Sequence, residues 1–153
     1  MGLQTKKEPI FVEQTYPASV GKVWKALTES SQMRQWFFEN INSFAPEIGF
    51  ETQFDVISNG KNYRHIWKVV EVEENEKLAY TWRYGGYPGN SKVIWRLRTE
   101  DDRTHLKLNH EDTESFPQDN PDFSRESCTA GWKYFICERL KEFLNEKNRR
   151  RKT

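Results

Sequence analysis

The chain has 153 residues, a length suited to one domain, and its 24 Lys and Arg against 23 Asp and Glu leave a net charge of +1. That balance gives no bias toward nucleic acid or an anionic membrane, and no apolar run approaches the ~20 residues that a membrane span needs. Aromatic residues make up 14% of the chain, with six Trp, six Tyr and ten Phe, which points to a core or a cavity walled by rings.

In chain order, residues 1–8 are polar and are expected to be disordered, so a single domain is expected over 9–147. Ile10, Val12, Gln14 and Tyr16 alternate with Phe11, Glu13 and Thr15. That predicts a strand, with either face open as the inner one. Pro17 stops it. A short helix follows with Val20, Val23, Trp24 and Leu27 on one face, and Ser30 or Ser31 can cap a second carrying Met33, Trp36 and Phe37.

A run of strands then begins. Phe50, Thr52, Phe54 and Val56 alternate, and Asn59-Gly60 is a strong hairpin signal. Residues 63–72 form the next strand. After a turn at Glu74-Asn75-Glu76, Leu78, Tyr80, Trp82 and Tyr84 point one way. Residues 85–90 (Gly-Gly-Tyr-Pro-Gly-Asn) read as a hairpin loop or a hinged lid. Val93, Trp95 and Leu97 continue the pattern, and Leu106, Leu108 and His110 line the last strand. Tight turns leave no room for crossover helices, so the sheet is expected to be an antiparallel meander, apolar on one face.

Residues 124–147 predict one long helix. Cys128, Trp132, Phe135, Ile136, Leu140, Phe143 and Leu144 fall on one face, with Tyr134, Cys137 and Lys141 opposite. It is the element large enough to cover the apolar side of the sheet. The tail 148–153 is basic and reads as a solvated helix end. The two cysteines are nine residues apart on this helix, roughly 13 Å along its axis, too far for a disulfide. Cys128 reads as a small buried hydrophobe and Cys137 as a spectator thiol, and unpaired thiols suggest a reducing, cytoplasmic setting.

The order strand, two short helices, antiparallel strands and one long C-terminal helix resembles the helix-grip fold of the START-like (SRPBCC) superfamily. Val23-Trp24-Lys25-Ala26-Leu27, Gln35-Trp36-Phe37, Lys77-Leu78-Ala79-Tyr80-Thr81-Trp82, Leu106-Lys107-Leu108-Asn109-His110-Glu111 and Gly131-Trp132 look like the family named after the activator of the ninety-kilodalton heat-shock-protein ATPase. The resemblance covers residues 10–144. It implies an α+β domain in which a curved sheet of about six strands wraps the C-terminal helix. It also implies one of three functions: a carrier of small hydrophobic ligands, a co-chaperone-like interaction module, or a cyclase- or hydrolase-like enzyme.

The site residues expected from this reading are Tyr80, Trp82, Trp95, His110, Trp132, Phe135 and Arg139, lining the space between helix and sheet. His110 shares a face with Leu106 and Leu108, as a hydrogen-bonded wall histidine or as a polar anchor for a ligand. Arg139 falls inside the apolar face of the helical wheel, where it either reaches the rim or aims at a ligand anion. His65, His105 and His110 lie on different strands or faces, so no metal site is expected, and no cofactor is implied. G-x-S-x-G, a Gly-rich phosphate loop and S-x-x-K are all absent. An open interior of some hundreds of Å³ would favour the ligand or enzyme reading. A packed one would favour the interaction module, for which a chaperone is the partner and Tyr87 and Phe116 the exposed contacts.

Overall fold

The computed structural model describes residues 9–151 apart from 115, 118, 119, 121 and 122, with 146–151 described by backbone only. The stretch 1–8, expected to be disordered, and the last two residues of the basic tail lie outside the described residues.

Six strands form one antiparallel sheet in the order β1-β6-β5-β4-β3-β2. They are β1 (Ile10–Tyr16), β2 (Glu51–Ser58), β3 (Lys61–Glu73), β4 (Lys77–Tyr84), β5 (Asn90–Glu100) and β6 (Arg103–Glu114). The hairpins form where the sequence supplies residues that tolerate positive φ: Asn59 and Gly60 (52° and 79°), Asn75 (65°) and Asp101 (54°). Period-2 burial is clear in the centre of the sheet. Leu78, Tyr80 and Trp82 on β4, Val93, Trp95 and Leu97 on β5, and Leu106, Leu108 and His110 on β6 all point inward. On β1 the inner set is Ile10, Val12 and Tyr16, leaving Phe11 47% exposed. A bulge between Val69 and Glu71 bends β3. Glu71 then bridges Lys77 (2.7 Å) and Lys92 (2.8 Å) on the convex side, hydrogen bonds that hold its carboxyl down to about 2.

Helices α1 (Val20–Thr28) and α2 (Ser30–Trp36) close one end of the trough. Ser19 caps α1 by accepting from the Lys22 backbone N–H. Trp36 is fully buried and donates to the Ala26 carbonyl (2.8 Å), which ties the two helices together. The following segment covers the free edge of β2, where Asn40 and Asn42 donate to the Asp55 and Gln53 carbonyls (2.6 and 3.0 Å).

The C-terminal helix lies in the trough as expected, but it is not uniform. An α-helical part, α3 (Arg125–Lys133), is capped by Ser124. It passes through a π-helical turn (Tyr134–Arg139) into α4 (Leu140–Arg151). A π turn holds one more residue than an α turn, so the wheel lags by about 100° across it. That displacement corrects one expectation: Cys137, placed by regular spacing on the outer face, packs against the core. It also leaves the Ile136 carbonyl available to the buried Tyr16 hydroxyl, which donates to it at 2.6 Å. Burial lifts the Tyr16 phenol well above its ordinary range, with a smaller push from the nearby Cys137. Trp132, Ile136, Leu140, Phe143 and Leu144 are the buried face of the rod.

Candidate functional site

The space between helix and sheet is filled by rings. Phe37, delivered by the C-terminal end of α2, stacks on Trp36 (4.8 Å between centroids) and meets Trp67, Trp95, Trp132 and Phe135 within 6.2 Å. Phe38 sits beside it against Phe54, His65 and Phe135. Sequence reading put Phe37 on the second helix but missed this pair as the filling of the grip, because a loop-borne ring leaves no periodicity to read.

Of the expected site residues, the structure brings Tyr80, Trp82, Trp95, His110 and Trp132 together. Tyr80 and Trp95 form a closed pair: the Trp95 indole donates to the Tyr80 hydroxyl at 3.0 Å. Burial raises the Tyr80 phenol far above its ordinary range, with the Trp95 N–H acting weakly the other way. Phe135 is half-buried against Phe37 and Phe38. Arg139 does not join the group; it donates to the Gln35 carbonyl at 2.7 Å, at the rim near α2.

His110 is the polar centre. The Trp132 indole can only donate, so Nδ1 of His110 accepts from it (2.9 Å). The Ser91 hydroxyl donates to the Trp82 carbonyl (2.7 Å), so Nε2–H of His110 donates to Ser91 Oγ (2.8 Å). One ring proton satisfies the whole chain of bonds. The imidazole is therefore neutral, and burial lowers its pKa to about 4. With both nitrogens engaged, His110 is not free to act as a general base for a substrate. Ser91 was not foreseen; it is fully buried where β5 slips register against β6.

Beyond His110 the trough opens. A narrow crevice of about 30 Å³ is lined by Ile10, Tyr84, His110, Asp112, Phe116, Phe123, Arg125 and Cys128. That is room for a water molecule, not for an organic ligand with its cover in place. The cover is aromatic: Phe123 stacks on Tyr84 (5.0 Å, 22°) and touches Tyr87, and Phe116 leans on Tyr84 and Phe123. Tyr87 and Phe116, expected to be exposed contacts, are half-buried here instead. Among the described residues, the large apolar side chains that are exposed are Phe11, Ile48, Ile57 and Tyr134. Among the buried side chains described, only the indole N–H groups of Trp67 and Trp82 lack a hydrogen-bond partner. No group of three or more His, Cys, Asp or Glu is placed to hold a metal ion among the described residues. No described helix is long and apolar enough to cross a membrane.

A six-stranded antiparallel sheet gripping a C-terminal helix, with two short helices at one end, defines the START-like, helix-grip class. Within that class, residues 17–145 match the family described as activator of Hsp90 ATPase homolog 1-like protein, and the chain belongs to it. No curated protein matches by sequence. Among solved structures, protein MLL2253 from Mesorhizobium loti is similar at 26% identity with a TM-score of 0.70, over 90% of this chain and 97% of that one. DynU16, a protein of the dynemicin biosynthetic locus, shares the fold at 23% identity and TM-score 0.70, over 91% of this chain and 48% of its own. The Aha1 dimer from Colwellia psychrerythraea shares it at 22% identity and TM-score 0.66, over 90% and 96%.

Proposed function

We propose that the chain binds a small apolar ligand at the open end of the grip. The ligand enters between β4, β6 and α3 by displacing the rings of Phe116 and Phe123. The observation that carries this reading is the crevice itself, where a cover of loop-borne aromatics closes over a wall made of Tyr84, His110 and Cys128. Loop rings cost less to displace than the interlocked core behind them, because fewer packed neighbours must move. Trp82 and Trp132 back the site through their contacts with His110 (5.7 Å each). Tyr80, Trp95 and Phe135 support the far wall. In this reading the protein is a carrier or sensor, and His110 positions the wall without reacting.

The test is a titration of lipids, flavonoids and aromatic polyketides followed by backbone amide shifts. The expected result is movement at Tyr84, His110, Phe123 and Cys128 with the convex face unmoved. A complete absence of inner-face shifts for every compound would overturn the reading. The filled interior favours one alternative, an interaction module presenting its outer surface, with exposed Phe11, Ile57 and Tyr134 as contacts. That alternative predicts shifts at those three residues on adding a chaperone, and none in the crevice.

A further inference from the structure

We propose that His110 is an acid-sensitive fastener between the sheet and α3: once its imidazole takes a second proton it lets go of Trp132, and α3 parts from β6 to open the crevice. The chain has three histidines, and the structure gives each a different set of partners. His105, on the outer face of the sheet, lies between Thr15 Oγ1 (2.8 Å) and the Glu13 carboxylate (2.9 Å). His65 Nδ1 faces the Tyr63 carbonyl at 3.1 Å. A hydroxyl, a carboxylate and a carbonyl can all accept from an N–H, so either ring can gain a proton and keep these bonds. His110 cannot. Its Nδ1 faces the Trp132 indole N–H at 2.9 Å, and an indole nitrogen is a donor only. A proton on Nδ1 sets two donors head to head in a buried place, so the bond is lost outright.

The groups around the ring decide which element moves. Among the described residues, the titratable or charged groups that line the crevice with His110 are Tyr84 from β4, Asp112 from β6, and Arg125 and Cys128 from α3. β1 and the cover add only Ile10, Phe116 and Phe123 there. β5 supplies the Ser91 hydroxyl, which accepts from Nε2–H in either state. His65 lies beyond Trp82, whose ring meets both imidazoles. Tyr84 and Cys128 are neutral in acid, which leaves two charges to count. Asp112 is two residues along the same strand, so it shares a face with His110 and moves with it. Arg125 is on the helix. A cation at His110 is therefore drawn to its own strand and repelled by α3. Burial lowers the ring pKa from 6.5 to about 4, so the parting belongs to the acid end of that interval. The inference needs no ligand. Where the ligand reading holds, it makes the site one that empties in acid, because an apolar guest disfavours a charged wall.

The experiment follows the six indole protons and the histidine ring nitrogens of ¹⁵N-labelled, ligand-free protein as pH is lowered from 6.5 to 4. The indole of Trp132 is expected to move upfield in step with protonation of His110 Nδ1, and the amides of Asp112 and Cys128 to move with it. The indoles of Trp36 and Trp95, bonded to the Ala26 carbonyl and the Tyr80 hydroxyl, are the controls and should hold their positions. In His110→Gln the side-chain amide can accept from Trp132 and donate to Ser91 but does not titrate, so the Trp132 signal should stay fixed. Asp112→Asn, at an exposed position, serves if His110→Gln does not fold: it should move the midpoint to lower pH by about half a unit. Protonation of His110 with the Trp132 signal unmoved would overturn the proposal. So would loss of the Trp132 signal only together with those of Trp36 and Trp95, which is unfolding of the whole domain. Neither result touches the ligand reading, whose titration is run above pH 6.5.

Discussion

The two ends of the grip are built from the same residue types and reach opposite solutions. At the α1–α2 end, each indole named has an acceptor: Trp36 donates to Ala26 and Trp95 to Tyr80. At the opposite end the rings over Tyr84, Phe116 and Phe123, come from a loop, and Phe123 also meets Tyr87 of the hairpin tip. The difference teaches that rings are buried most deeply where helix and sheet interlock, and less so where a loop closes the trough. One end is closed by interlocking rings, in which Trp36 and Trp95 have acceptors and Trp67, stacked on Tyr80, has none. The other is closed by the half-buried rings of Phe116, Phe123 and Tyr87.

The contrast is broken most severely at the closed end. Trp95→Ala should cost about 3–5 kcal/mol, because a fully buried ring leaves a cavity and orphans the Tyr80 hydroxyl. Denaturant unfolding measures it, and a cost under about 1 kcal/mol would mean that this end is not the anchor.

Acid acts next. His65 and His110 are both buried and neutral, burial lowering each pKa from 6.5 to about 4. The unfolded chain takes up those protons below 6.5 while the folded chain resists until about 4. Stability should therefore be full above 6.5 and fall as pH drops toward 4, by up to about 3 kcal/mol per histidine. Denaturation midpoints at a series of pH values read this directly, and His110→Gln should remove its share of the slope. A flat midpoint across that window would contradict the neutral histidines.

The smallest effect belongs to the open end. Phe123→Ala should cost only about 1 kcal/mol, since Phe123 is half-buried, while making the crevice more accessible to apolar probes. A loss as large as that of Trp95→Ala would erase the distinction between the two ends.

Much of this architecture could be read in advance. Alternation along β4, β5 and β6 placed Tyr80, Trp82, Trp95 and His110 on one face, because a strand's period of two is rigid. Asn59-Gly60 announced its hairpin by backbone preference alone. Three features were not legible. The π turn breaks the constant angle on which a helical wheel depends, so Cys137 was assigned outward. The plug of Phe37 and Phe38 depends on how a loop folds back, which no periodicity encodes. The crevice residues Phe116 and Phe123 come from a connection whose sequence shows only that it is a loop. Arg139 was correctly marked as odd on its helix, but its partner, a carbonyl of α2, is a tertiary contact that local spacing does not show.

The hairpin tip carries one more consequence. Gly89 sits at φ 113°, and a methyl group added there would lie 2.5 Å from the Phe116 ring. Tip and cover are thus keyed together like a latch against its strike plate. Were Phe116 displaced by the proposed ligand, the backbone at Gly89 would lose this neighbour. A spectroscopic tag on that tip would register occupancy of the site without touching the guest.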